Sequence, residues 1–360
     1  MSQTASDAVM SAYARSSIAL PAFFSRYQGD IEAALRAELA PRSLSLYDTH
    51  RYYLGWTGIN GEQAESGGGK AMRPTLCLLA CDAAGGDINR AMPVAVALEL
   101  VHNFSLIHDD LEDGDRFRRH RPTVWAIWGE ATAVVSGNAM LKIADLATQR
   151  LRECGVPPGV ALEAEHVLTE NYLRMMEGQY LDIAFESRDD VTVKEYLDMI
   201  ERKTGALIEV SVYLGSLVAR TGEPDRALAE GLRRVGYELG RVFQIRDDVL
   251  GVWGGPATGK PVGADIQRKK KALPAVHALT HTTGAAEKEL RLIYAKETPD
   301  ADDVERVLEI MDKAGTQKYC QHLAEERWHK GQSVLKSLSL AGVTGQEFDQ
   351  LGEFLLVRES

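Results

Sequence analysis

Cysteine is scarce in this chain: Cys77, Cys81, Cys154 and Cys320 are the four thiols in 360 residues. So few in so long a chain do not suggest a disulfide framework. Cys77 and Cys81 stand four apart in an apolar run, with no Cys or His partner at zinc spacing, so they are expected to pack a helix face. Strand signals are nearly absent, because no Asn-Gly or Asp-Gly hairpin joins alternating runs. Residues 1–20 lack the charged start and apolar core of a secretory signal. No membrane span is expected either, since the longest apolar stretches, residues 92–107 and 205–219, are interrupted by Glu99 and His102 or by Glu209. Basic charge is in deficit, with 41 Lys and Arg against 52 Asp and Glu and a net charge of −11. Broad binding to nucleic acid or anionic lipid needs the opposite sign. A soluble, cytoplasmic protein without a nucleic-acid partner is the expectation.

What is present is helical periodicity. Residues 31–39, 92–111, 131–151, 160–182, 193–220, 226–250 and 304–335 carry apolar side chains at three- and four-residue spacing. Breakers fall between them, as at Gly85–Gly86, Pro157–Gly159 and Gly222–Pro224. Hydrophobic residues make up 45% and charged residues 26%, an ordinary globular balance. The expected fold is all-α, a large helical bundle around a central cavity. Residues 1–28 have no firm pattern and are expected to form a loose N-terminal extension to a single helical domain, 29–360.

The strongest motif is His108-Asp109-Asp110-Leu111-Glu112-Asp113. On a helix, Asp109 and Asp113 share a face with their carboxylates about 5.4 Å apart. Like charges so close repel unless a cation sits between them. A hard divalent ion that binds through one or two carboxylates plus substrate phosphate suits the pattern. Taken alone, the motif has a lesser alternative as a solvated acidic helix end. An EF-hand fits worse, because Leu111 stands where an oxygen ligand is required. A second motif, Phe243-Gln244-Ile245-Arg246-Asp247-Asp248, puts Gln244, Asp247 and Asp248 on one side of another apolar helix. Two such faces pointing into a bundle could bridge several metal ions.

Cations accompany both motifs. Lys70 and Arg73 follow the glycine run Gly67-Gly68-Gly69, where backbone can approach a phosphate. Arg116, Arg118, Arg119 and Arg121 follow the first acidic motif, whereas Lys260 and Lys269-Lys270-Lys271 follow the second. A nucleotide P-loop at Gly254–Lys260 fails, because Pro261 replaces its Ser or Thr and no strand precedes it.

Across residues 30–335 the sequence resembles the trans-isoprenyl diphosphate synthase, or polyprenyl synthetase, family, most nearly its geranylgeranyl diphosphate synthases. The resemblance implies that Asp109, Asp113 and Asp247 hold Mg2+, several ions bridged by substrate diphosphate, with Asp110 and Asp248 in support. Lys70, Arg73, His102 and Arg119 match positions that bind isopentenyl diphosphate. Arg118, Lys203, Thr204, Gln244 and Lys260 match allylic-side positions, Lys270 lies in a further basic motif, and Gly178-Gln179-x-x-Asp182 fits the pattern. Several positions depart from it: Ala71 replaces a basic residue, His120 and Lys269 replace glycines, Ala272 replaces a threonine, and Gly251 stands where the last aspartate of the second motif is common.

The implied activity is a prenyltransferase condensation, head to tail, of isopentenyl diphosphate with dimethylallyl, geranyl or farnesyl diphosphate, by a homodimer. The apolar stretch 92–100 is a candidate dimer contact. A terpene cyclase would not need the Lys70, Arg73 and His102 site, and a non-catalytic partner subunit would be expected to carry degraded acidic motifs. Product length is expected to be read by the residues before Asp109. Ser105 and Val101, four and eight positions back, share its face by helical spacing and are small. Phe104 lies about 140° away on an ideal helix, so its part as a floor rests on resemblance to C20 producers. A C20 product is expected, with C15 as the alternative.

Overall fold

A computed structural model describes residues 20–64, 69–255 and 261–358. The chain opens with α1 (Phe23–Leu39) and α2 (Leu46–Tyr53), followed by α3 (Met72–Ala83) and the long α4 (Ile88–Glu112). A two-stranded ladder, β1 (Phe117–Arg118) with β2 (Arg121–Pro122), leads to α5 (Val124–Trp128), α6 (Glu130–Gln149) and α7 (Pro158–Glu186). Next come α8 (Val193–Ile200), a π-turn at Glu201–Gly205, α9 (Ala206–Leu217) and α10 (Arg226–Trp253). Short α11 (Ala264–Gln267) precedes α12 (Leu273–His281), α13 (Ala285–Ala295), α14 (Ala301–Lys313), α15 (Thr316–Ser337) and α16 (Thr344–Val357). The all-α expectation is met.

A helix that is apolar all round must be surrounded by protein, and α4 is the centre of this bundle. Val94–Leu98, Leu100, Val101 and Ile107 are buried, and α3, α6 and α9 pack around them. Although α4 is long and apolar enough to cross a membrane, 72% of its apolar window is buried here. The Asp87 carboxylate caps its start by accepting from Asn89 N–H. The same burial corrects one expectation: residues 94–98 and 100 are core, and so unavailable as dimer contacts. α9 and α10 pack side by side, and α10 continues the core onto α15. Cys77 and Cys81 are buried free thiols on α3, as their spacing predicted.

Four boundaries differ from the periodicity reading. α1 begins at Phe23, and Phe23, Phe24 and Tyr27 are buried. Residues 23–28, expected in a loose extension, therefore belong to the packed body, while residues 1–19 lie outside those described. The stretch 193–220 is interrupted by the π-turn. Residues 304–335 form two helices separated by Gly315, whose φ of 66° no continuous helix can contain. The β1–β2 hairpin was invisible because its turn is Arg119-His120, both at positive φ (49° and 62°), rather than the glycine-containing pairs such turns favour.

Candidate active site

The first acidic motif occupies the last turn of α4, with Asp113 at the C-cap and its N–H bonded to Asp109 O at 2.8 Å. Its three aspartates have different surroundings. Asp110 is 1% exposed; it accepts Tyr53 Oη–H at 2.9 Å and Arg118 Nε–H at 2.5 Å. Asp110 therefore anchors the arginine carried by the β1–β2 hairpin. Asp109 lies 3.7 Å from Lys203 Nζ, which also donates to Asp182 Oδ2 at 2.6 Å. Asp113 is open to solvent yet crowded by the cleft. Burial first, then the charge of Asp109, push its carboxyl up to about 6, against the pull of Lys203 and Lys270.

The second motif lies on α10. Asp248 is buried and saturated: it accepts from Tyr196 Oη at 2.5 Å, Gln244 Nε2 at 2.9 Å and Leu273 N–H at 3.2 Å. Burial pushes it up to about 7 despite these donors. Gln244 Oε1 accepts from Thr204 Oγ1 at 2.7 Å, so these two side chains are joined, and lone pairs remain on the Thr204 oxygen. Asp247 is half-exposed and pairs with Arg358 Nη2 at 2.8 Å.

The two motifs lie near enough for Lys270 to act on both. Burial opposes the charge of Lys270, but Asp265 foremost, and then Asp248, Asp182 and Asp247, raise its pKa overall. Lys203 is likewise raised: Asp109 and Asp182 outweigh its burial, and Lys270 acts against it. The cleft is thus acidic from both helices, with Lys203 and Lys270 set between.

Arg73 and Arg119 form a second basic group, and His102 lies within its field. Arg73 is 8% exposed, and burial lowers its pKa to about 10 despite Glu99. His102 is pushed well below its usual range, first by burial and then by Arg73, Arg119 and Arg118, so it is neutral at pH 7. Gly69 lets the backbone approach the Arg119 guanidinium, since a Cβ there would stand 2.9 Å from Nη1. Lys70 stands toward the second motif, where burial, then Arg358, lower its pKa and Asp247 raises it. Lys260, Gly67 and Gly68 lie outside the described residues. Among the residues expected to read product length, Val101 is sealed at 0% exposure and Phe104 at 4%, with its ring edge-on to His108 at 5.0 Å. Ser105 is half-buried and is the most exposed of the three.

Asp109, Asp113 and Asp247 are not gathered into one cage; among the described residues no three His, Cys, Asp or Glu converge as a ready-made metal site. The donor chemistry still fits magnesium. All candidate donors are carboxylate oxygens, and the repulsion from Asp109, which adds to burial in raising Asp113, is what a divalent ion relieves. Magnesium is commonly held by one or two carboxylates with substrate phosphate completing the shell.

Sequence reasoning did not assign roles to Asp182, Glu99, Tyr53, Tyr196, Asp265 or Arg358. Asp182 had a signal, because it ends the Gly178-Gln179-x-x-Asp182 pattern. Arg358 had none, since 111 residues separate it from Asp247.

The sequence profile of the polyprenyl synthetase family matches residues 60–311. A (2E,6E)-farnesyl diphosphate synthase of Mycobacterium tuberculosis is 39% identical over 315 residues, covering 86% of this chain and 85% of that protein. A geranylgeranyl diphosphate synthase of the same organism is 42% identical over 278 residues, 77% of each. Among solved structures, a polyprenyl synthetase from Streptomyces coelicolor superposes with a TM-score of 0.84 at 34% identity, covering 93% of this chain and 98% of that one.

Proposed function

The chain belongs to the polyprenyl synthetase family and is a prenyltransferase, and on that premise we propose that it condenses isopentenyl diphosphate head to tail with allylic diphosphates to give geranylgeranyl diphosphate. The observation that carries the reaction is the acidic cleft itself: Asp109, Asp182 and Lys203 in one cluster, with Lys270 acting on both motifs. Asp109 and Asp113 would hold magnesium on one wall and Asp247 on the other, once Arg358 gives way. Bound magnesium supplies Lewis-acid stabilisation of the charge that builds on departing pyrophosphate.

The chain's own residues do the remainder. Arg118, held by Asp110, and Lys203, held by Asp182, direct positive charge at the allylic diphosphate. Thr204 and Gln244 turn oxygen toward the carbon that becomes electron-deficient. Arg73, His102 and Arg119, with Lys70, bind the second diphosphate and align its double bond. Neutral His102 serves there as a hydrogen-bonding group rather than as a charge.

The C20 assignment rests on the closed aromatic Phe104 beside the half-open Ser105. The match to a farnesyl diphosphate synthase favours C15 as a second reading. Incubating the purified chain with Mg2+, isopentenyl diphosphate and each short allylic diphosphate, then resolving the dephosphorylated products, tests both. Asp109→Ala, or a chelator, is expected to lower turnover by orders of magnitude; near-wild-type rates in either case would overturn the metal-centred reading.

We further propose that the enzyme is a cytoplasmic homodimer. Exposed Val134, Val135 and Leu146 on α6 and Leu162, Leu173 and Tyr180 on α7 support the dimer, as apolar side chains on two neighbouring helices suited to a second copy.

A further inference from the structure

The second acidic motif lacks a carboxylate at its last position, where Gly251 stands one turn beyond Asp247 on α10. The space beside Gly251 is filled from elsewhere in the chain. A Cβ at 251 would overlap the Asp265 carboxylate, with Asp265 Cγ only 2.5 Å away. Asp265 is 7% exposed and sits in the first turn of α11. That short helix is tied to α10 by Gly263 N–H donating to Val252 O at 2.9 Å, so the carboxylate is held against Gly251.

From that place Asp265 acts on the cleft. It is the carboxylate that acts most strongly on Lys270, and its own carbonyl receives Lys270 N–H at 2.8 Å. The loop from Asp265 to Lys270 is thereby closed, with Lys269 at the left-handed φ of 55° that turns the chain.

We propose that Asp265 supplies the carboxylate that position 251 lacks, as a positioning residue that completes the second acidic wall and holds Lys270 toward the magnesium diphosphate. In this structure the space beside Gly251 is held by the α11 carboxylate. This rests on the metal–diphosphate reading of the cleft, and the test separates the two.

Calorimetric titration of the purified full chain with magnesium pyrophosphate is the readout, with the ligand-free melting temperature as the folding control. Asp265→Asn is isosteric and is expected to weaken binding about 10–100-fold, the usual cost of losing an outer-shell partner, with little change in melting temperature. Gly251→Asp alone should weaken it too, because the new side chain collides with Asp265. Gly251→Asp combined with Asp265→Ala should bind more tightly than Asp265→Ala alone, as the new carboxylate takes the vacated space. Wild-type binding by Asp265→Asn or by Gly251→Asp would overturn the proposal. So would a double variant no better than Asp265→Ala, and Asp265→Asn decides alone if Asp265→Ala does not fold. Asp109→Ala must lose binding in the same assay; if it does not, the metal–diphosphate reading has failed, and not the assignment of Asp265.

Discussion

His120 and Lys269 stand where the family commonly has glycine, and each has a positive φ, of 62° and 55°. For an L-residue that region costs roughly 1–2 kcal/mol, which explains the glycine preference without any functional role. Burial has a different consequence at His50. Its ring is 0% exposed, with Nε2 2.9 Å from Ser136 O, and burial first, helped by Arg51 and Arg42, lowers its pKa to about 4. The unfolded chain takes up a proton near pH 6.5 that the folded chain refuses. The stability this group contributes is therefore complete above about pH 6.5 and is lost progressively as pH falls toward 4, by roughly 3 kcal/mol in all. His50→Gln should flatten the acid limb of a denaturant-melt series between those pH values; an unchanged slope would contradict the assignment. Product length is also a residue-scale matter. Phe104→Ala is expected to lengthen the product and Ser105→Phe to shorten it, as read by chromatography of the dephosphorylated alcohols. If neither variant shifts the distribution, this stretch of α4 is not the ruler.

At the scale of elements, the site depends on a π-turn clamped between two helices. Lys203 and Thr204 lie in the turn Glu201–Gly205, and π-turns inside helices recur at functional sites because they re-aim side chains. α7 and α10 approach this turn at glycines. A Cβ on Gly178 would stand 2.6 Å from Lys203 Cα, and one on Gly240 would stand 2.8 Å from Gly205 Cα. Neither glycine has an unusual φ; both are required by the closeness of backbones. Gly178→Ala must therefore move Lys203 away from Asp109 and Asp182. Overpacking of this kind costs about 1–3 kcal/mol, and a catalytic group displaced by an ångström costs about 100-fold in rate. Thermal melts and steady-state rates of Gly178→Ala should show both losses together. A variant with normal kcat would mean that the turn does not need this clamp.

At the scale of the whole molecule, the exposed apolar side chains of α6 and α7 contrast with the buried middle of α4, residues 94–101. Leu173 and Tyr180 lie seven apart on α7, on one helical face, with 47% and 72% of their surfaces open. Leu173→Glu combined with Tyr180→Glu is expected to shift the purified enzyme from dimer to monomer in sedimentation velocity. A wild-type chain that sediments as a monomer under active conditions would refute the homodimer. The C-terminal end also acts at this scale, since Arg358 closes on Asp247 and packs 4.4 Å over the Phe243 ring.

The sequence by itself determined the helical class and the two acidic faces, because both depend on spacing within a few residues: Asp109 to Asp113, Gln244 to Asp248. It also carried the cations near each motif. Only the tertiary structure decided which of those groups are engaged as anchors. Asp110 and Asp248 look like Asp109 and Asp247 in the sequence, yet Tyr53 with Arg118 occupies the first and Tyr196 with Leu273 the second. Arg358 at Asp247 and Asp265 beside Gly251 were equally out of reach. Spacing along one helix sets the direction of a side chain, whereas its burial and its partners come from segments brought together when the bundle closes.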